Sequence, residues 1–347
     1  LTVKARLAAR WLEAAYRGDA WLIVLRPLEW LYRWLVAQRA RRYASGATPA
    51  WCAPVPVIIV GNITLGGTGK SPLVAWLARW LTERGWRPGI VARGYGGRAE
   101  TYPLRVTSLT PVNECGDEPR MLAEQTGVPV VVDPDRPRGA RELIEAGCDI
   151  LLSDDGLQHL ALERDLEIVV VDGRRGFGNG RCLPAGPLRE PLSRLDSVSA
   201  VVVNGEPMVA IPDGAHGMAL APVAWRSLDD GRRLPLTPLP FSGPVHAIAG
   251  IGNPRRFQHT LEQLGVASTL HAFADHHVYR GADFAMAGDK PLVMTAKDAV
   301  KCRGLAPADS WVLDVEAVPE PSFVAWLDEH LARLRPHATD PGAATGR

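Results

Sequence analysis

The stretch Gly61-Asn62-Ile63-Thr64-Leu65-Gly66-Gly67-Thr68-Gly69-Lys70-Ser71-Pro72 constrains this chain more than any other. It lies between a β-branched run, Val57-Ile58-Ile59-Val60, and a helix-length stretch beginning near Pro72. Glycines there let the backbone curl until its N–H groups point at phosphate oxygens, and the following helix adds the positive end of its dipole. Lys70 supplies a mobile cation and Ser71 a hydroxyl for Mg²⁺, so Thr64, Leu65, Gly66, Gly67, Thr68, Gly69, Lys70 and Ser71 form the expected nucleotide cradle. The G-x-x-x-x-G-K-[ST] spacing has Thr64 where its first glycine belongs. A plain glycine-rich turn from strand to helix is the alternative. Gly69-Lys70-Ser71 in its strand-and-helix context outweighs it.

The flanking sequence repeats that context. Apolar runs at 89–91, 128–132, 150–152, 168–171 and 201–203 alternate with helix-length stretches. Runs that are continuously apolar, rather than alternating, imply strands buried on both faces. The expected fold class is therefore α/β, a P-loop NTPase-type parallel sheet with helices on both faces. A Pro-rich interval at 234–244 sets off a smaller C-terminal α/β lobe, with strands at 245–249 and 292–295 and helices at 254–264 and 321–334. The expected division is an amphipathic helical segment 1–44, a kinase-like core 45–235, a lobe 236–335 and a disordered tail 336–347.

The N-terminal segment is helical by its period. Val3, Leu7, Trp11 and Ala14 share one stripe, and Arg6, Arg10, Glu13 and Arg17 another. Gly18-Asp19 breaks the run, and Pro27 is placed to open a second helix carrying Leu28, Leu31, Tyr32 and Leu35 towards Arg39, Arg41 and Arg42. Trp11, Trp21, Trp30 and Trp34 suit a membrane interface, and the arginines suit anionic head groups. No run approaches the roughly 18 apolar residues of a spanning helix, and interleaved charges disfavour a signal peptide. The segment is expected to lie on the membrane surface, with packing against the core as the alternative. Lys and Arg number 39 against 38 Asp and Glu, so no overall charge argues for a nucleic-acid partner. Cys52, Cys115, Cys148, Cys182 and Cys302 show no metal-ligand spacing and read as buried thiols of a reducing, cytoplasmic compartment.

Two further elements sit where strands end. Ser153-Asp154-Asp155-Gly156-Leu157-Gln158-His159 puts two carboxylates at the carboxyl edge of a parallel sheet, where ligands bind in such folds. Asp154 or Asp155 would hold Mg²⁺ directly or through water, or else cap the next helix. Gly250-Ile251-Gly252-Asn253-Pro254 fails as a dinucleotide fingerprint because Arg255 occupies the third glycine position. It reads as a strand-end turn, with Arg255 and Arg256 as possible phosphate ligands.

Gly61 to Pro72 and Ser153 to His159, together with Arg93-Gly94-Tyr95-Gly96-Gly97, Gly116-Asp117-Glu118-Pro119, Leu183 to Glu190, Phe273-Ala274-Asp275-His276 and Met294 to Lys301, resemble in order the motifs of tetraacyldisaccharide 4'-kinases. The loop of that family is similar to N-x-x-x-G-G-x-G-K-[ST]-P, so Thr64 fits it. The resemblance implies Mg²⁺-dependent transfer of the ATP γ-phosphoryl group to the 4'-hydroxyl of a lipid-linked disaccharide 1-phosphate, giving lipid IVA. It also implies action on the cytoplasmic face of the inner membrane, and it brings Asp117 and His276 together at the acceptor hydroxyl, as base and partner beside Lys70. Arg93, Gln158, His159, Arg189 and Glu190 are carried over as active-site residues. From the residues alone Asp117 reads as a helix cap and His276 as a solvated histidine. Without the resemblance, a P-loop ATPase or GTPase of other output, metal-inserting or synthetase-like, or a nucleotide-switched membrane adaptor stays open. A guanine-reading N-K-x-D loop has only Thr295-Ala296-Lys297-Asp298 as its nearest counterpart.

Overall fold

The computed structural model describes residues 3–334. The expected tail 336–347 and the Val3 and Arg6 side chains of the N-terminal stripes lie outside that description. Helix α1 (Val3–Arg17) is broken by Gly18 at φ 77°, a 3-10 turn follows (Ala20–Leu25), and α2 (Arg26–Ala44) has Pro27 in its first turn, where a missing N–H costs nothing. Ala14, Ala15 and Leu22 are buried together against Trp11 and Leu25. Trp11 therefore faces the protein, where its indole N–H donates to the Pro184 carbonyl, and not an interface. No helix among the described residues is long and apolar enough to cross a membrane.

Strands and helices then alternate: β1 (Val57–Gly61), α3 (Lys70–Glu83), β2 (Pro88–Ala92), β3 (Leu104–Val106), α4 (Val112–Cys115), α5 (Asp117–Thr126) and β4 (Val130–Val132). They continue through α6 (Arg136–Glu145), β5 (Ile150–Asp154), β6 (Leu166–Asp172) and β7 (Ala200–Asn204). Each β-branched run predicted as a strand is one, and β1, β2, β4, β5, β6 and β7 are buried along their whole length. Leu73, Leu77 and Leu122 of α3 and α5 cover one face, and Ala140 and Leu143 of α6 cover the other.

The remaining elements are β8 (His216–Ser227), β9 (Arg233–Leu234), β10 (Val245–Ala249), α7 (Pro254–Gln263), β11 (Ser268–Ala272), β12 (Leu292–Thr295), α8 (Ala296–Cys302), β13 (Ser310–Pro319) and α9 (Pro321–Leu334). All strands join one sheet in the order β11-β10-β12-β13-β8-β7-β6-β1-β5-β2-β4-β3, with β9 beside β8. The sheet is mixed, which corrects the parallel sheet expected above. β3 runs antiparallel to β4, and β8 antiparallel to both β13 and β9. Neither strand of the long pair carries a β-branched run like those of the core, since Ala219, Ala221 and Pro222 interrupt β8 and Asp314 and Glu316 interrupt β13.

Register shows what that pair does. β8 lies beside β7 only from His216 to Met218 and then continues to Ser227, roughly 30 Å past the core's carboxyl edge. β13 returns antiparallel along it, and the Ser310 to Leu313 end of β13 carries β12, with β10 and β11 beyond, all parallel to β13. The carboxyl ends of the C-terminal strands thus point back at the carboxyl ends of the core strands. Loops from both halves meet across one cleft.

Of the five cysteines, Cys52 is exposed and the other four are buried. It lies in the surface link into β1, where Trp51 bridges to Leu162 and side chains of an extended chain alternate in direction. Trp225 of β8 is fully buried among Val245, Ala247, Trp311 and Leu313, with its ring edge-on to Phe241. Trp225→Ala is expected to cost about 3–5 kcal/mol of stability in urea unfolding; a loss under about 1 kcal/mol would mean that this junction does not hold the halves together.

Candidate active site

The glycine-rich loop Thr64 to Ser71 is tied down on every side. Helix α3 starts at Lys70, two residues before Pro72, so Lys70 and Ser71 both occupy its first turn. Gly69 is left-handed at φ 99°, and a Cβ there would come within 2.5 Å of Asn204 Nδ2, so no other residue fits without displacement. Lys70 Nζ donates to Asn62 Oδ1 at 3.2 Å and lies 3.6 Å from Asp155 Oδ1. Tyr16 of α1 donates to the Leu65 carbonyl at 2.6 Å, Leu65 N donates to the Pro187 carbonyl at 2.8 Å, and Arg175 donates to the Gly67 carbonyl. The Thr68 hydroxyl is buried without a partner among the described residues.

Beside the loop stands the end of β5. Ser71 Oγ donates to Asp154 Oδ2 at 3.0 Å, while Asp154 Oδ1 is buried with no partner. Burial pushes the Asp154 carboxyl up to about 7, the Glu118 charge adding to it and Lys70 opposing. Asp155 is different: burial works against its charge, but Lys70 and Arg189, the latter 3.0 Å from both oxygens, hold it below the usual carboxylate range. Gln158 Nε2 donates to Glu190 Oε1 at 2.7 Å and to the Asn62 carbonyl at 3.2 Å, so Glu190 serves as a brace for Gln158. His159 is pushed down to about 4 by burial and by Arg136, Arg93 and Arg39, which leaves it neutral near pH 7. Arg93 is exposed and makes no hydrogen bond or ion pair among the described residues.

Asp117 opens α5 rather than preceding it, since the helix begins two residues before Pro119. Gly116, at φ 87°, makes this possible: a Cβ there would lie 2.7 Å from the Tyr95 carbonyl. The Asp117 carboxylate is 3% exposed, and His276 Nδ1 stands 3.0 Å from each of its oxygens. The two residues are 159 positions apart and come from opposite halves of the sheet. Lys301 Nζ is 3.7 Å and Lys297 Nζ 4.0 Å from Asp117 Oδ2. Burial disfavours the Asp117 charge, yet the His276 bond and the two lysines hold its pKa down. The Asp117 bond raises His276 against burial and Lys297. Among the described residues, Asp155 and His276 are the only non-glycines at positive φ, 51° and 59°. Strained backbone of this kind clusters at working sites.

Lys70, Ser71, Asp154, Asp155, Gln158 and Arg189 meet in one group, and Asp117 and His276 in a second beside it. The two touch electrostatically through Glu118, whose charge acts at Asp154. Sequence reasoning passed over Arg136, fully buried with its guanidinium on the Asp154 carbonyl at 3.0 Å, and Asn204, held against Thr68. Arg136 opens α6 and carries no motif, whereas Asn204 ends a buried strand, a position that could have flagged it. The Thr295 to Asp298 segment is used internally: Asp298 accepts from Gly250 N and Tyr279 OH, and Lys297 bridges Glu118 and Asp275.

Comparison with known proteins gives consistent relatives. The family profile described as LpxK, tetraacyldisaccharide-1-P 4'-kinase, matches residues 21–332. A tetraacyldisaccharide 4'-kinase of Azotobacter vinelandii is 52% identical over 329 residues, covering 94% of this chain and 98% of that protein. One from Pseudomonas aeruginosa is 50% identical over 335 residues, 96% and 99% of the two chains. A crystal structure of LpxK from Aquifex aeolicus in complex with ATP superposes with a TM-score of 0.76 at 28% identity, covering 90% of this chain and 99% of that one.

The shifts at Asp117 and His276 set a pH window. His276, raised, contributes stability that is complete below its unfolded pKa of about 6.5 and lost as pH rises through its folded value. Asp117, lowered, contributes stability present above about 3.9 and lost as pH falls through its folded value. In an NMR titration His276 is expected above its ordinary pKa and to drop in Asp117→Asn; an unchanged His276 titration in that variant would disprove the coupling.

Proposed function

Because the chain belongs to the tetraacyldisaccharide-1-P 4'-kinase family, we propose that residues Thr64 to Ser71 hold the phosphates of ATP while Asp117, braced by His276, faces the acceptor hydroxyl. The chain is an ATP-dependent kinase that phosphorylates tetraacyldisaccharide 1-phosphate to form lipid IVA in lipid A synthesis. The observation that carries the assignment of Asp117 is its bond to His276 at 3.0 Å.

A sugar hydroxyl attacking a γ-phosphoryl group through a loose transition state must be aimed in line and gives up its proton late. A carboxylate held at low pKa is a weak base and a good orienter, which suits that demand. His276 locks the Asp117 rotamer, and Lys297 and Lys301 keep it ionised. Lys70 leaves Asn62 and Asp155 for the phosphates, and Arg189 stays on Asp155. Gln158 and His159 line the same edge, with Glu190 fixing Gln158 and Arg93 offering an unpaired cation at the rim.

The residues present fit Mg²⁺. The Ser71 hydroxyl and the unpartnered Asp154 Oδ1 are hard oxygen donors beside the phosphate loop. Among the described residues no three His, Cys, Asp or Glu groups are placed to hold an ion, so phosphate and water would complete the shell, as Mg²⁺ prefers. Bound there, the ion would neutralise charge on the phosphate oxygens. Asp155, committed to Arg189, would act through water.

The N-terminal helices bring this site to the bilayer. Extracting about ten methylenes of one acyl chain into water costs on the order of 8 kcal/mol, and the substrate carries four chains. Trp21, Trp30, Trp34, Ile23, Val24 and Leu31 are exposed, in an arrangement that suits the inner leaflet. The opposite side of the segment is anchored to the site: Tyr32 donates to the Arg189 carbonyl at 2.9 Å, and buried Glu29 accepts from Cys182 N at 3.1 Å.

Asp117→Ala is expected to lower kcat by about 10²- to 10⁴-fold, and the double variant with His276→Ala little further, because the two act as a unit. Multiplying losses in steady-state assays would separate them. Replacing Trp30, Leu31 and Trp34 together by serine is expected to abolish flotation with anionic vesicles while the protein stays folded, and undiminished flotation would refute the bilayer role.

A further inference from the structure

The turn Gly250-Ile251-Gly252-Asn253 closes onto the phosphate-binding loop. A Cβ at Gly252 would lie 3.2 Å from Gly67 N, so the two glycine-rich turns pack backbone on backbone. Asn253 caps α7 by accepting from Arg256 N, which sets Arg256 one turn into the helix and facing the core half. Its NH2 group donates to Asn204 Oδ1 at 2.8 Å, and Asn204 Nδ2 donates to the Thr68 carbonyl at 2.8 Å. Asn204 is 3% and Thr68 1% exposed, so water does not compete for these groups.

We propose that Arg256 is a positioning residue for the phosphate-binding loop, acting through Asn204. A carboxamide has a donor end and an acceptor end, and the Thr68 carbonyl is an acceptor only. Arg256 is an obligate donor, so with it in place one amide orientation satisfies both neighbours and the other sets oxygen against oxygen. The guanidinium thereby holds the Asn204 nitrogen on Thr68, pressed against Gly69, where only glycine leaves room. The conformation of Thr68-Gly69 just before Lys70 is then dictated by a helix of the C-terminal half. This inference rests on the reading of Thr64 to Ser71 as the phosphate cradle.

The test is calorimetric titration of the full-length protein with ATP and Mg²⁺, with thermal unfolding run in parallel. Arg256→Ala and Asn204→Ala are each expected to weaken ATP binding about tenfold, the worth of a buried charge-assisted bond, and the double variant no more than Asn204→Ala. Asn204→Asp is the decisive variant, because it keeps an Arg256 partner, now as an ion pair, and removes the donor to Thr68. It is expected to unfold in a single cooperative transition, as the wild type does, and still lose about tenfold in ATP affinity. Wild-type affinity in Asn204→Asp, or multiplying losses in the double variant, overturns the relay. Wild-type affinity in Arg256→Ala overturns it too when Lys70→Ala has lost ATP binding. Wild-type affinity in both Arg256→Ala and Lys70→Ala overturns the phosphate-loop reading itself, and the relay with it.

Discussion

The antiparallel ladder between β8 and β13 is the constraint on which the rest of the structure depends. A parallel sheet places all its loop ends of one kind along one edge. By running β8 far past that edge and returning on β13, the chain mounts a second parallel set in the opposite sense. Two carboxyl edges then face each other. Three long-range pairs, His276 with Asp117, Lys297 with Glu118 and Arg256 with Asn204, span this junction. The burial of Trp225 and the twofold grip of Arg226 on Asp314, with contacts at 3.0 Å, fix the ladder itself.

Across the cleft the charges are sorted by environment. Asp154 and Asp155 are adjacent in sequence, yet one is pushed up by burial and the other held down by Lys70 and Arg189. Asp117 is as buried as Asp154, but His276, Lys297 and Lys301 surround it and hold its pKa down. At Asp154 burial outweighs the nearby Lys70, and one of its oxygens has no partner among the described residues. The neutral state of His159 follows the same logic, since three arginines surround it.

The N-terminal helices belong to the site as much as to any surface. Tyr16, Glu29 and Tyr32 reach the backbone of the phosphate loop and of the Cys182 to Arg189 segment, while the tryptophans between them point outward. The segment thus exposes large apolar side chains among its arginines and is hydrogen-bonded to these loops on its buried side.

Much was legible in the sequence because it rests on local rules. Continuous β-branched runs must be buried on both faces, and glycines before a lysine and a hydroxyl at a strand-to-helix turn have few other uses. The core strands, the glycine-rich strand-to-helix turn before Lys70, the acidic end of β5 and the helices near their predicted bounds follow from those rules. The pairing of Asp117 with His276 could be expected only from a family resemblance, and Trp11 and Cys52 each face the opposite way from what their residue types suggested. The mixed sheet, the partner of Arg256 and the brace from Glu190 to Gln158 had no local signature. Composition and periodicity determine which face of an element is buried, because that depends on near neighbours along the chain. Which loops meet across a cleft depends on strand direction and register, and those are decided only when distant strands pair.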